Sequence, residues 1–221
     1  PALMRAQLRA VLRSSVHGRV AVMFPMVATL AEWRAARAML EVEREALGVP
    51  PIAVGIMVET PAAALIADRL AAEADFLSLG TNDLTQYTLA MDRTNPRLAP
   101  QVDALHPAVL RLIARTVEGG HAHGRWVGVC GALAGDVAAV PVLVGLGVDE
   151  LSADLPLVPA VKARVRALSL AECRETARAA LDAADGAAVR ELVARRHDGD
   201  VSAAAAPNDA TPADASSGVH A

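Results

Sequence analysis

Short runs of β-branched and apolar residues alternate along this chain with stretches whose apolar positions recur every three or four residues. That alternation reads as strand, helix, strand, helix. The chain opens in a helical pattern from Pro1 to Leu12, and Val20 to Met26 (Val-Ala-Val-Met-Phe-Pro-Met) then reads as a buried strand. Residues 30–47 follow as an amphipathic helix, with Leu30, Trp33, Ala36, Leu40 and Val42 among its apolar positions. Ile52 to Glu59 is a second strand, and Pro61 opens the next helix where no N–H is needed. Phe76 to Gly80 is a third strand. Residues 91–106, rich in Asn, Pro and Gln, are irregular, and Pro107 to His123 returns to helix. Trp126 to Cys130 is a fourth strand, with an Ala-rich helix behind it. Glu150 to Ala153 is a short fifth strand, and several helices occupy 157–196.

Five β-α units in succession predict a parallel sheet covered by helices. Two closures satisfy the pattern equally: an open doubly wound sheet, or part of a (β/α)8 barrel. A full barrel typically takes about 250 residues, more than the patterned part of this chain, so a barrel here is a partial one. After His197 the composition changes. Residues 198–221 are mainly Ala, Asp, Ser, Pro and Gly, which cannot offset the entropy of ordering. The expected organisation is one domain over 1–197 and a disordered tail over 198–221. A helical pattern that starts directly at Pro1 reads as a piece of a longer chain.

Composition narrows the function. Apolar residues make up 53% of the chain, mostly Ala, Val and Leu, which suits buried parallel strands under small-residue helices. The net charge is −4 with Lys and Arg dispersed, so the basic stripe of a nucleic-acid binder is missing. No apolar stretch approaches the roughly 20 residues that cross a bilayer. The two cysteines, Cys130 and Cys173, show no disulfide-framework spacing, which favours a reducing, cytoplasmic setting.

In parallel β-α proteins the loops at the carboxyl ends of strands build the site. The second strand ends at Glu59, the third at Gly80-Thr81-Asn82-Asp83, the fourth at Cys130-Gly131. Glu59 and Asp83 are hard oxygen donors from neighbouring strands, the kind of pair Mg²⁺ takes alongside water and substrate phosphate. Each alone reads equally well as a helix-start carboxylate; the pair on one rim favours metal. The Gly80–Asp83 turn offers helix-start N–H groups to an anion. Arg93 is placed to grip phosphate or carboxylate, against the commoner role of a solvated surface residue. Cys130 is either a buried small apolar side chain or a nucleophile or proton donor. Cys173 sits in a helical pattern without a chemical role. The six histidines lack metal-ligand spacing and read as surface or capping residues, and Walker, Rossmann and zinc patterns are absent.

Three segments carry a resemblance: Val58-Glu-Thr-Pro-Ala-Ala; Gly80-Thr-Asn-Asp-Leu-Thr-Gln-Tyr-Thr-Leu-Ala-Met-Asp-Arg93; and Gly128-Val-Cys-Gly131 with Ala134-Gly-Asp136. From about residue 3 to 195 the chain resembles the carboxy-terminal barrel of Enzyme I, the phosphoenolpyruvate–protein phosphotransferase of the sugar phosphotransferase system. The stretch Leu98-Ala-Pro-Gln-Val-Asp-Ala-Leu-His-Pro-Ala-Val-Leu also looks like members fused to other phosphotransferase modules. The resemblance implies a barrel that binds phosphoenolpyruvate (PEP) and Mg²⁺ and dimerises. It implies phosphoryl transfer to a histidine on a separate amino-terminal domain and on to the carrier HPr. By matching motifs, Glu59 and Asp83 are metal ligands, Asn82 with the backbone at 82–83 holds phosphate, and Arg93 binds substrate anion. Cys130 is the acid that protonates the enolate carbon to give pyruvate. The chain departs from many relatives at Ala132, where they carry Glu. It is expected to hold the last five of eight strands, without the earlier substrate-binding arginines or the phosphoacceptor domain. Pyruvate phosphate dikinase and PEP synthase share the Gly-Thr-Asn-Asp and Cys-Gly elements and are the enzyme alternative. A non-catalytic dimerisation or PEP-binding module is the other.

Overall fold

A computed structural model describes residues 2–204, with side-chain surroundings through residue 196. Five strands, β1 (Ala21–Phe24), β2 (Ala53–Val58), β3 (Phe76–Gly80), β4 (Val127–Cys130) and β5 (Glu150–Leu151), form one sheet in the order β1-β2-β3-β4-β5. Every neighbouring pair is parallel. A doubly wound sheet reverses its strand order at a switch point. This sheet never reverses, so it is an arc of a (β/α) barrel, and the closure that the pattern leaves open is resolved by strand order.

The helices are α1 (Ala2–Ser14), α2 (Leu30–Leu47), α3 (Pro61–Leu65), α4 (Ala67–Ala71), α5 (Thr81–Leu89), α6 (Pro107–His121), α7 (Ala132–Gly135), α8 (Val140–Leu146), α9 (Val158–Ala167), α10 (Leu170–Leu181) and α11 (Gly186–Ala204). α2 starts where a capping box sets it: Thr29 Oγ1 accepts from the Glu32 N–H, and Glu32 Oε2 accepts from the Thr29 N–H. Two readings change here. Val42 faces solvent, and the buried position beside it belongs to Glu43, held by Arg5 at 2.7 Å and by Arg9 from α1. The Arg9 contact, with help from Arg5, keeps the Glu43 carboxyl below its ordinary range against the opposing effect of burial. The helix after Pro61 is two short helices, broken at Ile66, whose backbone leaves the helical region.

Strand alternation sorts the sheet into two faces. Val54, Ile56, Val58, Leu77, Leu79, Val127 and Val129 are buried on the helix side with Leu110 and Ile113 of α6 and Leu70 of α4. Register puts Gly55, Met57, Ser78, Gly80, Gly128 and Cys130 on the other face. There Phe76 stacks on Trp126 with ring centroids 4.5 Å apart.

Segment 91–106 holds only a short 3-10 turn, Ala99–Gln101, and elsewhere its own side chains satisfy part of its backbone. Asp92 accepts from the Thr94 N–H, Asn95 from the Arg97 N–H and Asp103 from the Leu105 N–H, in place of helix bonds. His106 caps α6, its Nδ1 accepting from the Ala108 N–H. Cys173 is buried in α10, and burial pushes its thiol up, which suits an inert packing residue. α11 continues through Ala204 into the stretch expected to be tail; residues 205–221 lie outside those described. Among the described residues no helix is long and apolar enough to cross a membrane.

Candidate functional site

The carboxyl ends of β2, β3 and β4 bring Glu59, Asn82, Asp83 and Cys130 to one rim. Glu59 follows β2, and only 5% of it is exposed. It leans over the end of β3 so closely that a Cβ on Gly80 would sit 2.8 Å from Oε2 and 2.8 Å from the Glu59 Cβ. Glycine at position 80 is what lets this carboxylate lie across the strand end. Its Oε1 accepts from the Met26 N–H at 2.7 Å. Met26 follows β1 and holds a left-handed backbone, φ 55°, a conformation that costs a non-glycine residue about 1 kcal/mol or more. The first strand thus enters the site through a strained amide rather than a side chain, which sequence cannot signal.

Burial pushes the Glu59 carboxyl above its ordinary range, and the charge of nearby Asp83 adds to that push. The Met26 N–H opposes both. A carboxylate whose charge is disfavoured by burial and by a neighbouring carboxylate forms with it an oxygen donor pair that a hard cation would relieve. Among the described residues no cage of three or more His, Cys, Asp or Glu side chains exists. A two-carboxylate set suits Mg²⁺, which keeps most of its water and takes few protein ligands.

Because the folded protein raises the Glu59 pKa, it binds this proton more tightly than the unfolded chain does. With metal chelated, the stabilisation is complete below the unfolded carboxylate pKa of about 4.3 and is lost as pH rises through the folded value. Urea midpoints measured in chelator should fall over that window, and Glu59→Gln should flatten the fall. An unchanged slope in the variant would mean another group carries it. A cation held by the pair would oppose the fall, since it would favour the ionised carboxylate.

α5 starts directly at the end of β3, with Gly80 as its cap residue and no side-chain cap bond. Its first-turn N–H groups therefore lack a capping partner at the rim. Thr81 is buried and donates to the Cys130 carbonyl at 3.0 Å, tying α5 to β4. Asn82 Oδ1 accepts from the Ala132 N–H at 3.0 Å, which turns the carboxamide Nδ2 the other way. Because that bond uses the backbone, it survives alanine at 132. Gly131, at φ +93°, fits where a Cβ would meet Thr81 Oγ1 at 2.8 Å. Arg93 pairs with Asp83 at 3.5 Å, both side chains part-exposed, so the guanidinium is held near the rim without being buried.

Cys130 Sγ lies on the same sheet face as Ser78. The Ser78 hydroxyl donates to Sγ at 3.4 Å, and the thiol reaches the Leu79 carbonyl at 3.5 Å. These two contacts place the sulfur at the end of the sheet, beside β3. Beside the rim opens a cleft of about 530 Å³ lined by Thr81, Asn82, Thr85, Arg93, Asp103, Ala132, Asp136 and Arg190, among others. Asn82 and Arg93 belong to both rim and cleft; Glu59 and Cys130 lie outside the cleft. Ser78, Met26, Asp103 and Arg190 are additions that no spacing in the chain announces.

Comparisons with known proteins converge. The family model described as PEP-utilising enzyme, PEP-binding domain, matches residues 1–170. A multiphosphoryl transfer protein of Rhodobacter capsulatus is 51% identical over 190 residues, 86% of this chain and 23% of its own length. A phosphoenolpyruvate-protein phosphotransferase of Enterococcus faecalis is 47% identical over 189 residues, 83% of this chain and 33% of its own length. The chain thus spans a third or less of these curated relatives. A crystal structure of a citrate lyase from Burkholderia xenovorans superposes with a TM-score of 0.57 at 21% identity, over 93% of this chain and 71% of that one. At that identity the likeness is one of fold.

Proposed function

This chain belongs to the PEP-binding domain family of PEP-utilising enzymes, and from that premise we propose that it supplies the PEP site of a Mg²⁺-dependent phosphotransferase. The reaction moves the phosphoryl group of PEP to a protein histidine and releases pyruvate, as in Enzyme I of the sugar phosphotransferase system. The observation that carries this reading is the meeting of the Glu59–Asp83 pair with the Cys130 thiol on one rim and one face of the sheet.

Glu59 and Asp83 would hold the ion. Mg²⁺, when bound, neutralises charge on the transferring phosphoryl group. Asn82 Nδ2 and the first-turn N–H groups of α5 bind phosphate oxygens, where the helix end favours negative charge. Arg93 adds a part-exposed cation for the substrate anion. Loss of the phosphoryl group leaves an enolate. Cys130 gives its thiol proton to the terminal carbon, forming the methyl group of pyruvate, and the thiolate regains a proton from solvent. Carbon protonation removes the nucleophile that would reverse the transfer.

HPr as the next acceptor, a homodimeric assembly and a cytoplasmic setting belong to the same proposal. Relatives named multiphosphoryl transfer protein, at 51% and 49% identity, support a version with further phosphotransferase modules on the same polypeptide.

The test uses the protein that carries this chain. Incubated with PEP and Mg²⁺ and no nucleotide, it should release pyruvate in proportion to phosphorylated HPr, and EDTA should stop the release. Pyruvate release that required AMP with phosphate or pyrophosphate, and formed ATP, would assign the synthase or dikinase reaction instead. PEP binding without pyruvate would reduce the chain to a binding module.

A further inference from the structure

We propose that Arg190 is a positioning residue of this site, locking the segment that carries Arg93 to the turn that carries the Asn82 contact; this role rests on the functional reading above. Its guanidinium grips Asp103 with two prongs, Nε to Oδ2 at 2.9 Å and Nη2 to Oδ1 at 2.9 Å. Its remaining nitrogen, Nη1, reaches Asp136 Oδ2 at 2.9 Å. One side chain on α11 thus spans to partners 87 and 54 residues away in sequence.

Each partner is fixed to its own loop. Asp103 Oδ1 also accepts from the Leu105 N–H, and Asp136 Oδ1 accepts from the Ala138 N–H. Asp103 stands near the end of the irregular segment that begins beside Arg93. Asp136 ends the turn whose Ala132 N–H orients Asn82. Both loops line the 530 Å³ cleft. α11 is a firm anchor, because Val189 and Val193 are buried in the core. It approaches closely: a Cβ on Gly186 would lie 2.6 Å from Asp103 Oδ2. Burial works to raise the Asp103 carboxyl, yet the Arg190 fork and the Leu105 N–H hold it below its ordinary range. A forked, charge-assisted pair with a second carboxylate is a network, the arrangement in which part-exposed ion pairs matter.

The clamp does not hold the thiol. Cys130 is fixed from β3 and the start of α5, by Ser78 and Thr81. Loss of Arg190 should therefore act on the substrate anion contacts and spare the proton transfer.

In the protein that carries this chain, Arg190→Gln is expected to raise the KM for PEP about tenfold while kcat changes less than about threefold. Amide exchange at Leu105, Ala132 and Ala138 should quicken about tenfold, with amides of β2 and β3 unchanged and Tm within a few degrees. Arg190→Lys keeps the charge without the fork and should recover only part of both effects. An unchanged KM in a protein that turns PEP over would overturn the positioning role alone. So would a fall in Tm with faster exchange throughout the sheet, which marks a merely structural staple. Absence of PEP turnover in the wild type would instead overturn the functional reading on which the role rests.

Discussion

Replacing Cys130 by alanine is expected to lower pyruvate formation about a thousandfold while Mg²⁺ affinity changes by less than about twofold. The separation follows from what the thiol touches. Sγ contacts the Ser78 hydroxyl and the Leu79 carbonyl, and no hydrogen bond joins it to either carboxylate. The backbone of residue 130 is held independently, through the Thr81 bond to its carbonyl and the pairing of β3 with β4. Alanine keeps both, so the rim survives while the proposed proton source is lost. Serine would restore a hydrogen-bonding group of similar size, but a hydroxyl is a far weaker acid than a thiol, so Cys130→Ser should remain close to the alanine variant. Turnover is read as pyruvate appearing with HPr as acceptor, and metal affinity by calorimetry on the same preparation. Wild-type pyruvate formation in Cys130→Ala would remove the thiol from the reaction and leave it as packing. A large parallel loss of Mg²⁺ affinity would show that the substitution had disturbed the rim, and the rate could then not be assigned to the acid.

How much of the fold and the site is legible in the amino-acid sequence depends on the range of the interaction. Strand and helix positions are legible because they rest on local period and on prolines and glycines at element ends. α2 spans Leu30–Leu47 as its apolar positions read, and β3 spans Phe76–Gly80 as the sequence reads. The gathering of Glu59, Asp83 and Cys130 at strand ends is legible too, because parallel topology sends every such end to one edge. The barrel arc is not legible in the alternation, which a doubly wound sheet shares; the family resemblance implies it, and strand neighbours decide it. Nor are contacts made by backbone or across long separations. The Met26 amide on Glu59 leaves no side-chain signature, and Arg190 is one helix arginine among many in the sequence, distinguished only by meeting Asp103 and Asp136 in space. Val42 and Glu43 exchange places for a related reason: a glutamate takes a buried position when two arginines from another helix cover it.

Asp83→Ala is expected to weaken metal and substrate together, with kcat/KM for PEP at fixed low Mg²⁺ falling about a thousandfold. If the pair holds Mg²⁺ as proposed, removing one carboxylate leaves Glu59 as the remaining donor, and the charge neutralisation that the ion would supply to the phosphate weakens with it. Two signs separate this from a helix-end role. First, α5 carries no side-chain cap bond, so Asp83 can contribute to the helix only through its charge in the first turn, about 0.3–1 kcal/mol. Unfolding stability in chelator should drop by no more than that. It should even recover in part, because Glu59 loses a repelling neighbour and its carboxyl shifts back toward its ordinary range. Second, raising Mg²⁺ should restore part of the activity, whereas a missing cap would not respond to metal. The Arg93 pair with Asp83, at 3.5 Å, is too long and too exposed to account for a thousandfold change. Asp83→Asn sharpens the test, since it keeps shape and hydrogen bonding and removes only the charge. If the asparagine variant showed unaltered Mg²⁺ dependence, Asp83 would not be a ligand, and the metal would have to be sought with Glu59 elsewhere on the rim.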